Sequence, residues 1–213
     1  RVVLFEEYTG ASCSNCPDGH KIVKELLNQY GVRFAAMGLH QSVLANPVKD
    51  GDEDLKTTES ANLAAQFDVS SLPAAVINRK KFSGSWSQGR FNWKSVVQSD
   101  IGSPVKVNMS SSVSVDPNNQ KDILELRIEI LEDISNELNF SIMLGENHIK
   151  ATQVDGLSKI DNYDHEHVLR KMYTGFLGNL LVNPDADGNT YKAGRVFLKK
   201  IELNELESHW KKE

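Results

Sequence analysis

Val2-Val3-Leu4-Phe5-Glu6-Glu7-Tyr8-Thr9-Gly10-Ala11-Ser12-Cys13-Ser14-Asn15-Cys16-Pro17 is the stretch from which the rest of the chain is read. Residues 2–8 form an apolar run that predicts a buried strand, and Thr9 to Ser12 are the small residues of a turn. Behind the turn, Ile22, Val23, Leu26, Leu27 and Tyr30 recur at three- and four-residue spacing, which predicts a helix from Cys13 to about Tyr30. Gly31 suits its C-terminal end. The two thiols stand at i and i+3 on one helix face, close enough to form a small disulfide. A helix N-terminus carries unpaired amide donors and a partial positive charge, which stabilise a thiolate. Cys13, nearer that end, is the expected nucleophile and Cys16 the resolving thiol. Pro17 is tolerated in the first turn, where amides lack intrahelical acceptors.

Outward from this unit, residues 32–39 read as a second strand ending at His40, and residues 57–67 as a helix with Leu63 and Phe67 inward. Residues 74–78 and 81–84 read as a hairpin, and residues 91–98 as a closing helix. The predicted order is β-α-β-α-β-β-α. Leu72-Pro73 before the strand at Ala74 is where thioredoxin-like proteins keep a cis proline beside their disulfide, so residues 1–101 resemble a thioredoxin-like domain. A cis bond at Pro73 is expected. Glu7 stands six residues before Cys13, where thioredoxin has a buried acid that moves a proton. Glu6 and Glu7 point to opposite sides of a strand, so only one of them faces the pair, and an exposed strand-end glutamate is an equal reading of Glu7. His40 ends a strand parallel to the first, on the sheet edge that carries the cysteines. His20 can face them from the helix, and Cys13, Cys16 and a histidine would suit copper or zinc. A redox pair, a structural disulfide and a metal site all remain open for CxxC at this point.

Ile101-Gly102-Ser103-Pro104 is a breaker-rich stretch where the periodicity changes, and the domain boundary is placed there. Residues 105–109, 113–115, 124–130 and 138–144 alternate apolar and polar, which predicts an antiparallel β-sandwich over residues 105–213. The expected fold is an α/β thioredoxin-like domain followed by this all-β domain. Asn183 to Asn189 looks like a calcium loop, but Val196 stands where the closing acid would be, so a polar turn is preferred. Asp164-His165-Glu166-His167 reads as a strand with both histidines on one side, in a surface or hydrogen-bonding role.

Phe5-Glu6-Glu7-Tyr8-Thr9-Gly10, Cys13-Ser14-Asn15-Cys16-Pro17, Leu39-His40 and Tyr163-Asp164-His165-Glu166-His167-Val168-Leu169-Arg170 together resemble the Omp28-related outer-membrane protein family of Gram-negative bacteria. The resemblance runs through nearly the whole length. It implies a thioredoxin-like head, an all-β second domain, and an exported protein at the periplasmic or outer-membrane face, tethered through a segment preceding Arg1. The alternating strands are too few for a spanning barrel. Residues 203–213 stop where one more strand is expected.

The chain has 24 Lys and Arg against 29 Asp and Glu, a net charge of −5, with the acidic excess confined to the second half. That balance gives no long-range attraction to phosphate backbones, so nucleic acid is not an expected partner. No apolar run approaches the roughly 18 residues of a membrane span. Two function classes follow. One is an exported thiol-disulfide oxidoreductase acting on an unidentified protein partner, with Cys13, Cys16, Pro73, Glu7 and His40 as its site. The other is a non-enzymatic envelope surface or binding protein on a thioredoxin-like scaffold. No resident cofactor or metal is assigned, and oligomeric state is not legible.

Overall fold

The computed structural model describes residues 1–183 and 190–203. The chain runs β1 (Val3–Thr9), α1 (Cys16–Tyr30), β2 (Phe34–His40), α2 (Thr58–Gln66), β3 (Ala74–Ile77), β4 (Ser87–Gly89) and α3 (Trp93–Asp100). Strands follow to the end of the described chain. They are β5 (Val107–Val115), β6 (Asp122–Ile130), β7 (Asn139–Phe140), β8 (Met143–Glu146), β9 (Ile149–Asp155), β10 (Ser158–His165), β11 (Val168–Met172), β12 (Asn179–Leu180) and β13 (Val196–Leu203). The structure is mostly β, with three α-helices and several sheets among the described residues. The strand and helix order predicted for the first hundred residues is the one observed. Two details differ. The partner of β3 is β4, because residues 82–85 close a tight turn ahead of it. Helix α1 begins at Cys16, which leaves Cys13 in the preceding turn.

The chain divides into two compact units, and the division corrects the expected boundaries. One unit is residues 1–103 together with 143–172; the other is 104–142 together with 173–213. The chain does leave the first unit near Ser103, but it comes back. In the first unit the sheet order is β4-β3-β1-β2-β11-β8, with β1 and β2 parallel and β3 antiparallel to β1. β11 lies parallel to β2 through Val168 and Gly38, and β8 lies antiparallel to β11. A sheet edge presents unpaired amides and carbonyls, and the returning segment covers the edge that β2 would otherwise expose. β9 and β10 form a separate antiparallel hairpin in this unit.

Alternation explains the core. Val3 and Phe5 point from β1 to the side of α1 and α3, where they join Val23, Leu26, Trp93 and Val97. Trp93 meets Phe5 edge-on at 5.0 Å between ring centres, and its indole N–H donates to the Gln88 carbonyl at 2.8 Å. Each such side chain contributes about 1.5–3 kcal/mol by leaving water.

The second unit contains only strands among its described residues. β13-β6-β5 is an antiparallel sheet and β12-β7 a short pair. Its core gathers Ile128, Ile130, Leu181, Tyr191 and Phe197. The predicted strand at 138–144 is split, β7 staying in this unit and β8 going to the first sheet. The calcium-like loop and the C-terminal run fall at 184–189 and 204–213, outside the described residues.

Candidate functional site

The turn between β1 and α1 is held by its own backbone, with the Cys13 amide donating to the Gly10 carbonyl at 3.0 Å and the Cys16 amide to the Cys13 carbonyl at 3.1 Å. Cys13 and Cys16 are joined in a disulfide, their Cα atoms 5.4 Å apart. The bond is covered: Cys13 is 3% exposed and Cys16 fully buried. The cover is the β9–β10 hairpin. The buried Gln153 amide donates to the Gly10 and Cys13 carbonyls, each at 3.2 Å. The Val154 amide donates to the Ala11 carbonyl at 2.8 Å, and the Gly156 amide to the Ser14 carbonyl at 2.9 Å. Sequence reasoning gave no sign of this cover, because a hairpin carries no mark of the distant turn it pairs with.

The Leu72-Pro73 peptide is cis. Pro73, Trp93 and Glu7 converge on Gly19 of α1: a Cβ built there would lie 2.6 Å from Glu7 Oε1, 2.9 Å from the Trp93 ring and 3.2 Å from Pro73. Gly19 is what lets the helix come this close to the sheet. Alanine has the better helix propensity by about 1 kcal/mol, but overpacking a rigid indole costs about 1–3 kcal/mol. Gly19→Ala should therefore lower stability, read as a fall in the urea midpoint at unchanged slope. A rise would mean that the contact relaxes freely.

The two glutamates of β1 part as alternation requires. Glu6 faces Arg79, which grips it through Nη2 at 2.7 Å and Nε at 3.1 Å. Glu7 faces α1, is buried, and its Oε1 has no hydrogen-bond partner in the protein. Burial pushes its carboxyl up to about 8, so it holds its proton at neutral pH. The register pairs Thr9 with His40 and Glu7 with Gly38, which puts Glu7, Thr9 and His40 on one face of the sheet.

Above that face His20 of α1 hydrogen-bonds the Thr9 hydroxyl through Nε2 at 2.9 Å and the Tyr163 hydroxyl through Nδ1 at 2.8 Å. His40 is 2% exposed with neither ring nitrogen partnered, and His165 is 2% exposed with Nε2 unpartnered. Their ring centres are 5.5 Å apart. Burial holds all three imidazoles below their ordinary range, His165 at about 4, and mutual repulsion lowers His20 and His40 further. The group surrounds a cavity of about 580 Å³.

Of the residues singled out from sequence, Glu7 and Pro73 meet at Gly19, while Glu7 and His40 line the cavity. Gln153, Tyr163 and His165 were missed as site residues. His165 is not on the surface, and the run 164–167 is not one strand: β10 ends at His165, and His167, at φ 57°, sits in the turn before β11. The only sequence signal for this was the crowding of Tyr163, His165 and His167 into five residues. Near the rim, exposed His148 pairs with Asp164 at 3.2 Å and Glu166 at 3.0 Å.

Among the described residues no helix is long and apolar enough to cross a membrane. A search among curated proteins finds no match. Two solved structures are similar in fold. One, of a protein from Agrobacterium tumefaciens, has a TM-score of 0.56 at 14% identity, over 94% of this chain and 78% of that one. The other, HBP35 of Porphyromonas gingivalis, has a TM-score of 0.64 at 15% identity, over 95% of this chain. This chain spans 64% of HBP35's length. The family described as outer membrane protein Omp28 matches residues 60–204, about two thirds of the chain and including Tyr163 to His167 of the histidine-lined hollow. The chain therefore belongs to the Omp28 outer-membrane protein family and is a protein of the cell envelope.

Proposed function

We propose that this protein is a non-enzymatic binding module of the cell envelope, built on a thioredoxin-like scaffold in its first unit and an antiparallel β-sandwich in its second. The observation that carries this reading is the cover over the disulfide. Reactive cysteines sit in partly exposed, electropositive surroundings, whereas Cys13 lies beneath a hairpin that bonds its own carbonyl. The disulfide then serves to hold the turn, and the feature open to ligands is the cavity under α1.

One observation favours the oxidoreductase instead: a buried carboxyl raised to about 8 is what a proton acceptor for a resolving thiol requires. In that reading Cys13 attacks a substrate disulfide, Cys16 resolves the mixed disulfide, Glu7 takes the proton, and Pro73 and His40 contact the substrate. It requires the β9–β10 hairpin to lift.

Reduction of the full chain separates the two. The binding module predicts a potential below about −300 mV, as for structural disulfides, and slow reduction by glutathione. Gln153→Ala removes bonds across the cover and should speed reduction by about tenfold or more, since each lost bond is worth about 1 kcal/mol. Rapid equilibration of the wild type, with mixed disulfides accumulating through Cys13 in Cys16→Ala, would overturn the reading.

A further inference from the structure

We propose that the open edge of β5 is a docking surface for a second copy of this chain. The two β5 strands pair antiparallel about a two-fold axis at Ser111 and join their sheets into one. This pairing lies in the second unit and is independent of the disulfide and of the cavity under α1.

The first observation is an edge left open. Among the described residues β5 pairs with β6 alone, and every residue of β5 after Val107 is exposed. Natural edges are ordinarily blunted by charge, proline or a bulge. Residues 107–115 carry no charge and no proline, and their register with β6 runs unbroken from Val107 to Val115. The other edge of the same sheet, β13, carries Lys199, Lys200 and Glu202.

The second observation is which groups face that edge. The Lys106 carbonyl accepts from the Leu131 amide at 2.8 Å, and the Asp116 amide donates to the Lys121 carbonyl at 2.7 Å. Even-numbered residues therefore turn their backbone groups to β6, and Val107, Met109, Ser111, Val113 and Val115 turn theirs outward. The same odd-numbered side chains lie on the apolar face of the sheet. Met109 stands opposite Ile128 and Val113 opposite Leu124, while Val107 packs on the core of Ile128 and Ile130. Met109, Val113 and Val115 are each more than half exposed, so the apolar row continues past its cover.

The third observation selects the partner. Val107-Asn108-Met109-Ser110-Ser111-Ser112-Val113-Ser114-Val115 alternates alike in both directions from Ser111. Pairing two copies there sets outward backbone groups against outward backbone groups. It places Met109 opposite Val113 and Val107 opposite Val115, as a self-complementary two-fold interface requires. Just beyond the strand, Lys106 comes opposite Asp116 of the second copy, at both ends. In the single chain Lys106 reaches Glu132 at 3.7 Å, with both side chains exposed. Sliding the pair by two residues sets Lys106 against Ser114 or Asn118 and matches neither charge. Sliding it by one turns the apolar row to the wrong face.

A seam of one strand per copy is at the small end of specific interfaces, so the dimer should depend on concentration. Sedimentation equilibrium of the full chain tests it. The mass should rise from 23.8 kDa toward twice that value as the concentration is raised through the micromolar range. Ser111→Pro removes an outward amide that β6 does not use, a position where an edge strand tolerates proline, and should hold the chain monomeric. Lys106→Glu should weaken the dimer by about tenfold, and adding Asp116→Lys should restore it. This exposed pair decides the matter where the proline variant fails to fold. A wild type that stays monomeric at every concentration would overturn the proposal and leave the edge to some other extended chain. So would a dimer unmoved by Ser111→Pro, or one that charge reversal neither weakens nor restores.

Discussion

Taken from pH 6.5 to 4.5, the protein should lose roughly 3–5 kcal/mol of unfolding free energy. Burial depresses the folded-state pKa values of His40, His165 and His20. In this window the unfolded chain binds protons that the folded chain refuses, so stability falls as the pH falls. Each fully buried histidine contributes about 1.4 kcal/mol per pH unit. Glu7 opposes them, since below its raised folded value the native state already holds the proton. The net slope is that of two or three histidines less one carboxyl. Urea unfolding at half-unit intervals measures it, and a midpoint unchanged down to pH 4.5 would mean that the imidazoles are hydrated.

Glu7→Gln should make the protein more stable at pH 8 by several kcal/mol. Between the ordinary glutamate value near 4.5 and the folded value near 8, the unfolded chain releases a proton that the native chain keeps. The contribution of Glu7 to stability therefore falls as pH rises through this window, by on the order of 5 kcal/mol in all, and above about pH 6.5, where the histidines no longer offset it, the wild type loses stability. The amide has no proton to release and should flatten that limb. Together the two effects give the wild type a maximum near pH 6.5, with histidines limiting it on the acid side and Glu7 on the alkaline side. If Glu7→Gln is the less stable protein at pH 8, the native carboxyl is ionised and paired, and the account of the cavity changes with it.

How far the sequence carried this reading depends on the distance over which each signal acts. The helix of Val23 and Leu26, the strand of Val3 and Phe5 and the opposite facing of Glu6 and Glu7 are consequences of local periodicity, and they were legible. The return of β8 and β11 to the first sheet was not. Leu144 and Val168 alternate as well as any sandwich strand, and alternation specifies a buried face without naming the neighbour. The same limit hid Gln153 and His165, which matter through residues more than a hundred positions away. Cys13 was legible as a partner of Cys16 and illegible as a covered one, because exposure depends on a hairpin the motif does not mention.

The hairpin over the disulfide also gives the protein a history. In order along the chain Cys13 and Cys16 precede β9 by about 130 residues, so a chain that emerges N-terminus first presents its thiols for an interval before their cover arrives. Through that interval the thiols have no cover, and the sheet edge at β2 waits for β11. The bond can be made while the pair is open to whatever oxidises it, and is then shut away once residues 149–165 arrive. Oxidation before closure leaves a finished molecule; closure before oxidation would leave two reduced thiols where an oxidant must unfold the hairpin to reach them.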